Sequence, residues 1–279
     1  MIERQDKRLR VNAMCEVLAV SPSGYYAWRN REPSAHQQRD AWLAQQVKQV
    51  FETSRRTYGS DRVHQALRRT GIRTSRKRVA RLMRAQGLRS VRARKQRISL
   101  TRAGNHAYIA PNRLRQDFTA TARNTKWVTD TTYIPTCDGW LYLVSVMDLY
   151  DRQVVGWAMG VQHDAALATE ALNMALQRRR PPTGLIVHSD RGSEFANARF
   201  HRRATASGAV LSMSSTGNCF DNAAAESFFA TVKSEAVQGG VYTSHQHARQ
   251  HLFDYIEVFY NRQRLHSSLN FQCPIEFAA

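Results

Sequence analysis

Two apolar, β-branched-rich runs, Trp127-Val-Thr-Asp-Thr-Thr-Tyr-Ile134 and Trp140-Leu-Tyr-Leu-Val-Ser-Val-Met147, flank the turn pair Asp138-Gly139. Strand-forming runs on either side of an Asp-Gly turn read as a β-hairpin. The hairpin commits this part of the chain to a sheet and sets an aspartate, Asp130, on a central strand.

Two further carboxylates follow in contexts that bring them toward such a strand. Asp190 ends the apolar run Leu185-Ile-Val-His-Ser-Asp190 and is followed by Arg191-Gly192. It therefore belongs at the mouth of a buried strand, where α/β sheets place ligands. Glu226 follows after 35 intervening residues, within Asp221-Asn-Ala-Ala-Ala-Glu-Ser-Phe-Phe-Ala-Thr-Val-Lys233. The alanines favour a helix there, with Asp221 or Asn222 as its N-cap. Lys233 is seven residues on, within roughly 20° of the Glu226 face and about 10 Å further along the axis.

Any one of these acids alone would be read as a solvated or capping residue. Together they match a chemistry. Breaking a phosphodiester and rejoining it to another strand needs an activated oxygen nucleophile and a stabilised leaving oxygen, and paired magnesium ions roughly 3.5 to 4 Å apart provide both. Such ions take hard oxygen ligands and keep several waters, so two or three carboxylates suffice without histidine or cysteine.

The stretches Trp127–Ile134, His188-Ser-Asp-Arg-Gly-Ser-Glu-Phe195, Gly217-Asn-Cys-Phe-Asp-Asn222, Glu226-Ser-Phe-Phe229 and Tyr260-Asn-Arg-Gln-Arg-Leu-His-Ser-Ser-Leu269 resemble the second-frame product of the IS-three family of bacterial insertion-sequence transposases. The likeness covers nearly the whole chain. It implies a ribonuclease H-like α/β core with Asp130, Asp190 and Glu226 as catalytic, metal-binding triad. Asp130 and Asp190 would hold one Mg²⁺ and Asp130 and Glu226 a second, with Mn²⁺ able to substitute. It also implies Lys233 as a contact to the element's end, copy-out and paste-in transposition without a covalent protein intermediate, and action as a homo-oligomer on DNA. Relatives are often active only when fused by a frameshift to an upstream frame that carries a helix-turn-helix and a leucine zipper. Met1 to Lys7 would then begin only the second part, with the upstream product as partner. Two positions depart from the usual pattern: Thr216 stands where many relatives carry a basic residue, and Glu194 where glutamine is commoner.

Composition adds an independent argument. The chain holds 41 Lys and Arg against 22 Asp and Glu, a net charge of +19. Residues 1 to 120 contain 27 basic and 8 acidic residues, and 121 to 279 contain 14 of each, so the whole excess precedes the carboxylate region. Between Asp61 and Asp117 there are 17 Lys or Arg and no acid. Such an uncompensated stretch is best explained by phosphate contact, with counterion release driving affinity.

Within it, Ser60 to Gly71 reads as a capped helix with Val63, Ala66 and Leu67 on one face. Ser75 to Gly87 reads as a second, with Val79, Leu82 and Met83 inward. Arg76, Lys77, Arg78, Arg81 and Arg84 remain for DNA, and the pair resembles a helix-turn-helix. An earlier pair is signalled by Val11 to Leu18 and by Ser21-Pro22 ahead of Tyr25-Tyr-Ala-Trp28, whose aromatics are expected to pack the small domain. An amphipathic segment from Ala35 to Phe51 joins the pairs. The sequence thus divides into residues 1–54, an all-α region with a first possible helix-turn-helix, and 55–90, the DNA-binding helix-turn-helix. A basic linker follows at 91–120, ordered in part only on DNA, where Arg92, Arg94, Lys95 and Arg97 add phosphate contacts. The catalytic core spans 121–237, a mixed sheet flanked by helices, and a helical extension spans 238–279.

After the hairpin the core reads as a strand at Val154–Met159, a helix at Asp164–Arg179, the Asp190 strand, a helix at Ala196–Ala206 and a strand at Ala209–Ser212. A helix over Ser244–Tyr260 then leads to an irregular tail in which Arg262, Arg264 and His266 either touch DNA or pack. His245, His247 and His251 read as a surface helix rather than a zinc site. Four scattered cysteines fit a reducing compartment, and the absence of a secretory or membrane-spanning run fits a cytoplasmic protein of the nucleoid.

These readings converge on a DNA transposase. A non-catalytic DNA-binding regulator of transposition retaining the fold is the alternative, and a ribonuclease H or junction resolvase a third, which leaves the basic N-terminal region without a purpose.

Overall fold

The computed structural model describes residues 10–91, 108–215 and 219–279, the side chains of 219 and 220 excepted. Arg92, Arg94, Lys95, Arg97 and Thr216 lie outside the described residues.

The sheet has five strands, β1 (Lys126–Thr136), β2 (Gly139–Asp148), β3 (Val154–Gly160), β4 (Ile186–Ser189) and β5 (Val210–Met213), in the order β3-β2-β1-β4-β5. The expected hairpin is β1 and β2, antiparallel from Trp127↔Asp148 to Thr136↔Gly139, with Gly139 at φ 108° in the tight turn. β1 is the central strand. Its other edge pairs with β4 in parallel, Trp127 with Val187 and Val128 with His188, and β4 pairs in parallel with β5. Antiparallel strands feeding parallel ones require helical crossovers, which the chain supplies.

Alternation along the strands separates two apolar layers. Trp127, Val144, Val146 and Val155 pack under α6 (Ala165–Arg179) and α7 (Ala198–Ala206). Gly156 lets β3 and α6 approach closely, because a Cβ there would lie 2.3 Å from the Ala171 carbonyl oxygen and 2.7 Å from the Ala175 Cβ. On the opposite face Val128, Ile134, Leu141, Leu143 and Met147 pack with Ala225, Phe228, Phe229 and Val232 of α8 (Ala223–Val232). α9 (His245–Phe253) and its π-helical continuation Asp254–Tyr260 join this face through Leu252, Tyr255, Ile256 and Phe259.

The same apolar cluster runs on into the N-terminal helices α3 (Ala35–Thr53), α4 (Ser60–Arg69) and α5 (Arg76–Ala85) through Leu43, Val47, Phe51, Val63, Leu67, Val79, Leu82 and Met83. The boundary expected between residues 54 and 55 therefore runs through one packed unit, because α3 supplies the floor on which the α4–α5 pair rests. α1 (Val11–Val17) and α2 (Pro22–Arg29) form a separate small cluster of Met14, Cys15 and Tyr25. Only Tyr25 of the expected aromatic packing is buried, while Tyr26 and Trp28 are exposed.

Other local expectations are corrected. The N-cap of α4 is Gly59, with no side-chain cap, rather than Ser60. Asn222 occupies the N-cap of α8 without a capping bond, and its amide instead donates to the Thr129 carbonyl at 3.4 Å. Asp221 accepts from the Ser215 N–H at 2.8 Å and the Asn112 amide at 2.9 Å. The distal half of the expected linker, residues 108–120, is tied to the core without DNA: Leu114 is fully buried and Gln116 donates to Asp221. The C-terminal tail, expected to be irregular, ends in a short helix, α10 (Pro274–Ala278), with Pro274 at its first position.

A buried ion pair joins the segments around α8. The helix continues past Val232 as a π-turn, Lys233–Val237, which turns Glu235 inward. There Glu235 accepts from Arg264 Nε at 2.7 Å, Arg264 Nη2 at 2.6 Å and the Tyr255 hydroxyl at 2.8 Å. Removing one partner of such a pair strands a buried charge, a loss of about 3–5 kcal/mol. Glu235→Ala is expected to lower stability by that order in a urea unfolding titration. A loss below about 1 kcal/mol would show that the pair is not a structural linchpin.

Candidate active site

The parallel register brings the two aspartates together. Val128 is level with His188, and two residues further along each chain come Asp130 and Asp190. Asp130 shares the parity of Val128 and Ile134, so it looks toward the face covered by α8. Asp190 lies just beyond the end of β4, as the sequence implied.

The electrostatics record the proximity. Burial, and then the negative charge of Asp190, push the Asp130 carboxyl well above its ordinary range, with smaller contributions from Glu226 and Glu194. The Asp190 carboxyl is pushed up to about 6, by burial first, although the Gly192 N–H donates to its Oδ1 at 2.9 Å. Glu226, exposed on α8, is raised by burial of its carboxyl. Among the described residues no three Asp, Glu, His or Cys side chains are gathered closely enough to hold a metal ion as they stand. The two aspartates nevertheless have the right donor chemistry, since like-charged carboxylates side by side are stabilised by a divalent cation.

Lys233, at the junction of α8 with the π-turn, lies over the Tyr133 ring with its Nζ 4.3 Å from the centroid. Burial depresses its pKa, while the charge of Asp130 acts to raise it, which places the ammonium in the field of the carboxylates. It was expected on the Glu226 side of a continuous helix. The structure adds the aromatic platform, a cation–π contact that spacing alone does not reveal.

A fourth carboxylate lies behind the aspartates. Glu194 is 4% exposed, accepts from the Thr131 hydroxyl at 2.9 Å and pairs with His163 Nε2 at 2.6 Å. Its other oxygen, Oε2, is buried without a hydrogen-bond partner. Gly192 makes the room: a Cβ there would fall 2.4 Å from Glu194 Oε2 and 3.0 Å from Asp190 Oδ1. Burial alone would raise the Glu194 carboxyl, but the His163 hydrogen bond and charge outweigh it and hold the group below its ordinary value. His163 stacks on Tyr142, centroids 5.1 Å apart. The sequence marked Glu194 only as a departure and gave no signal for His163, because their meeting depends on the crossover that follows β3.

The DNA-facing expectations are met unevenly. Arg78 Nε bonds Asp40 Oδ1 at 2.7 Å, Arg81 pairs with the other oxygen of Asp40, and Arg76 pairs with Asp61 at 2.7 Å. Lys77 and Arg84 are exposed and form no ion pair among the described residues.

Three family models match the chain: an integrase core domain over residues 120–219, an HTH-like domain over 37–96, and a second integrase core domain model over 207–274. Among curated proteins, the insertion element IS600 uncharacterized 31 kDa protein of Shigella sonnei is 42% identical over 95% of this chain and 97% of its own. Transposase InsF for insertion sequence IS3A of Escherichia coli (strain K12) is 40% identical over 99% of this chain and 96% of its own.

The His163–Glu194 pair yields a titration test. The Glu194 hydrogen bond raises the His163 pKa above its ordinary value of 6.5, against burial. A raised folded pKa contributes stability that is fully present below the unfolded value and lost as pH rises through the folded one. Glu194→Gln leaves burial as the main influence, so the His163 pKa is expected to fall below 6.5, as read from imidazole proton shifts. An unchanged value would show that the pair does not form in solution.

Proposed function

Because the chain belongs to the IS3 family of insertion-sequence transposases, with an integrase core and an HTH-like domain, we propose that it binds the ends of its element. There it cleaves and joins DNA through Asp130, Asp190 and Glu226. The observation that carries this reading is that Asp130 and Asp190 each stand two residues beyond the Val128–His188 pair of the β1/β4 register, on the face covered by the helix that bears Glu226, with the Asp190 charge raising the Asp130 pKa. A buried carboxylate whose pKa is raised further by a neighbouring one is costly to a fold and useful to a cation site.

Asp130 and Asp190 would hold one divalent ion and Asp130 and Glu226 a second. Bound Mg²⁺, or Mn²⁺ in its place, supplies charge stabilisation at the attacking and leaving oxygens of an in-line displacement. The chain's own groups do the rest. Lys233, fixed over Tyr133, neutralises a phosphate next to the scissile bond. Glu194 fixes Thr131, and the Thr131 N–H donates to Asp130 Oδ1 at 2.8 Å, so the carboxylate is oriented from behind. In strand transfer a 3′ hydroxyl loses its proton to solvent and forms a new P–O bond as the bond to the leaving 3′ oxygen breaks. The basic N-terminal helices hold the ends through phosphate contacts, with Lys77 and Arg84 of α5 the most available and Lys233 acting at the core. The active species is a homo-oligomer on DNA, with the upstream-frame product, as partner or fusion, contributing end recognition.

Labelled duplexes carrying the DNA that flanks the gene, incubated with Mg²⁺ or Mn²⁺, provide the test. Glu226→Gln is expected to lower strand-transfer product by about 10²-fold or more while leaving duplex binding intact. Equal product from the variant would remove Glu226 from the mechanism. Binding by the native chain without cleavage, alone or fused to the upstream frame, would identify a regulator instead.

A further inference from the structure

A second cation-rich site lies around the side of α8 from Glu226. A cavity of about 410 Å³ is lined by Arg62 of α4, Arg152 of the β2–β3 turn, Arg264, Ser227 and Thr231 of α8, and Ser268. It sits where the helix-turn-helix unit meets the catalytic core.

The charges in it do not cancel. Glu235 is committed to both nitrogens of the Arg264 fork and to the Tyr255 hydroxyl, and Arg62 reaches it only at 4.0 Å. Asp148, the carboxylate that acts on Arg152, already accepts from the Asn124 and Tyr150 N–H groups and the Trp127 indole. Arg152 forms no ion pair among the described residues and holds a left-handed backbone at φ 58°. The neighbouring His266 is driven down to about 2 by burial and then by Arg264, Arg62 and Arg152, so it stays neutral within their field. Ala223 and Ala224 of the first turn of α8 also line the cavity, and the N-cap Asn222 makes no side-chain capping bond there.

We propose that this cavity is a phosphate-binding pocket that grips the sugar-phosphate backbone of the DNA strand crossing α8. Guanidinium groups backed by hydroxyls and a helix start match a phosphodiester. Ser227 directly follows Glu226 in α8, about 100° around the helix, so the pocket flanks the Glu226 face and a strand laid across α8 would meet both. The contact is to backbone and is therefore independent of sequence. It also sets the distance between the helix-turn-helix unit and the core, because Arg62 comes from one and Arg152 from the other. The assignment rests on the reading of this chain as a DNA-processing enzyme.

The test measures binding of the full chain to a fluorescently labelled duplex by anisotropy across a salt series. Arg152→Gln is expected to weaken binding roughly 5-fold and to reduce the slope of log affinity against log salt by about one. Arg152→Lys should recover most of the slope. Ser268→Asp places a negative charge at the exposed mouth without touching the core and should weaken binding in the same direction. Native affinity and slope in both Arg152→Gln and Ser268→Asp would overturn the proposal. A pyrophosphate-induced rise in melting temperature that Arg152→Gln abolishes, with duplex binding unaltered, would reassign the pocket to a free anion and overturn the DNA assignment. Loss of duplex binding in Arg152→Gln, from a native chain that makes no strand-transfer product either alone or fused to the upstream frame, would sink the catalytic reading and leave the pocket standing.

Discussion

Everything at the catalytic end of this protein depends on the register between β1 and β4. Parallel pairing puts Val128 level with His188, and continuing each chain by two residues brings two carboxylates side by side. A slip of one residue would send Asp130 to the other face of the sheet, away from α8. The register is held from both sides. The hairpin fixes β1 against β2 over ten residue pairs, and His188 is locked between the Ser212 and Ser214 hydroxyls at 2.8 and 3.3 Å. Burial depresses the His188 pKa to about 4, so the lock is made by a neutral ring and adds no charge beneath the aspartates.

The molecule separates its charges by element. Carboxylates gather where the strands end, and cations gather on the N-terminal helices and beside α8. Fewer cations are left unpaired on α5 than its sequence offers, because Asp40 and Asp61 engage three of the five basic residues expected there to meet DNA. Exposed ion pairs of this kind contribute little to stability. Their larger effect is to fix which cations remain for a phosphate backbone, leaving Lys77 and Arg84 of α5 outside such pairs.

Much of the core was legible in the sequence because its signals are local. The Asp-Gly turn, the β-branched runs and the alanine-rich helix each specify their own element, and the three carboxylates fall on the elements expected. What was illegible depends on contacts made across the chain. The partnership of His163 with Glu194 needs the crossover after β3, and the platform under Lys233 needs β1 to lie against the end of α8. The sharing of one apolar cluster by α3 and the core could not be read from a hydrophobic period, which shows that a helix has a buried face but not what buries it. The tail, expected to be irregular, closes with α10, whose first turn holds Pro274, where a missing N–H costs nothing.

The N-terminal unit closes on residues 263–271. The Tyr58 hydroxyl donates to the Gln263 carbonyl at 3.1 Å and accepts from the Leu265 N–H at 2.8 Å, and Arg69 donates to the Phe271 carbonyl at 2.9 Å. These bonds span about 200 positions of sequence. During synthesis helices α3 to α5 therefore emerge long before their partners, and the bonds of Tyr58 and Arg69 cannot form until residues 263–271 leave the ribosome. Contacts of such separation are slow to form and expose the nascent chain to association with others. The seam between the helical unit and the integrase core is thus closed only after both have been made, and a chain stopped before residue 263 carries the two parts without the bonds that join them here.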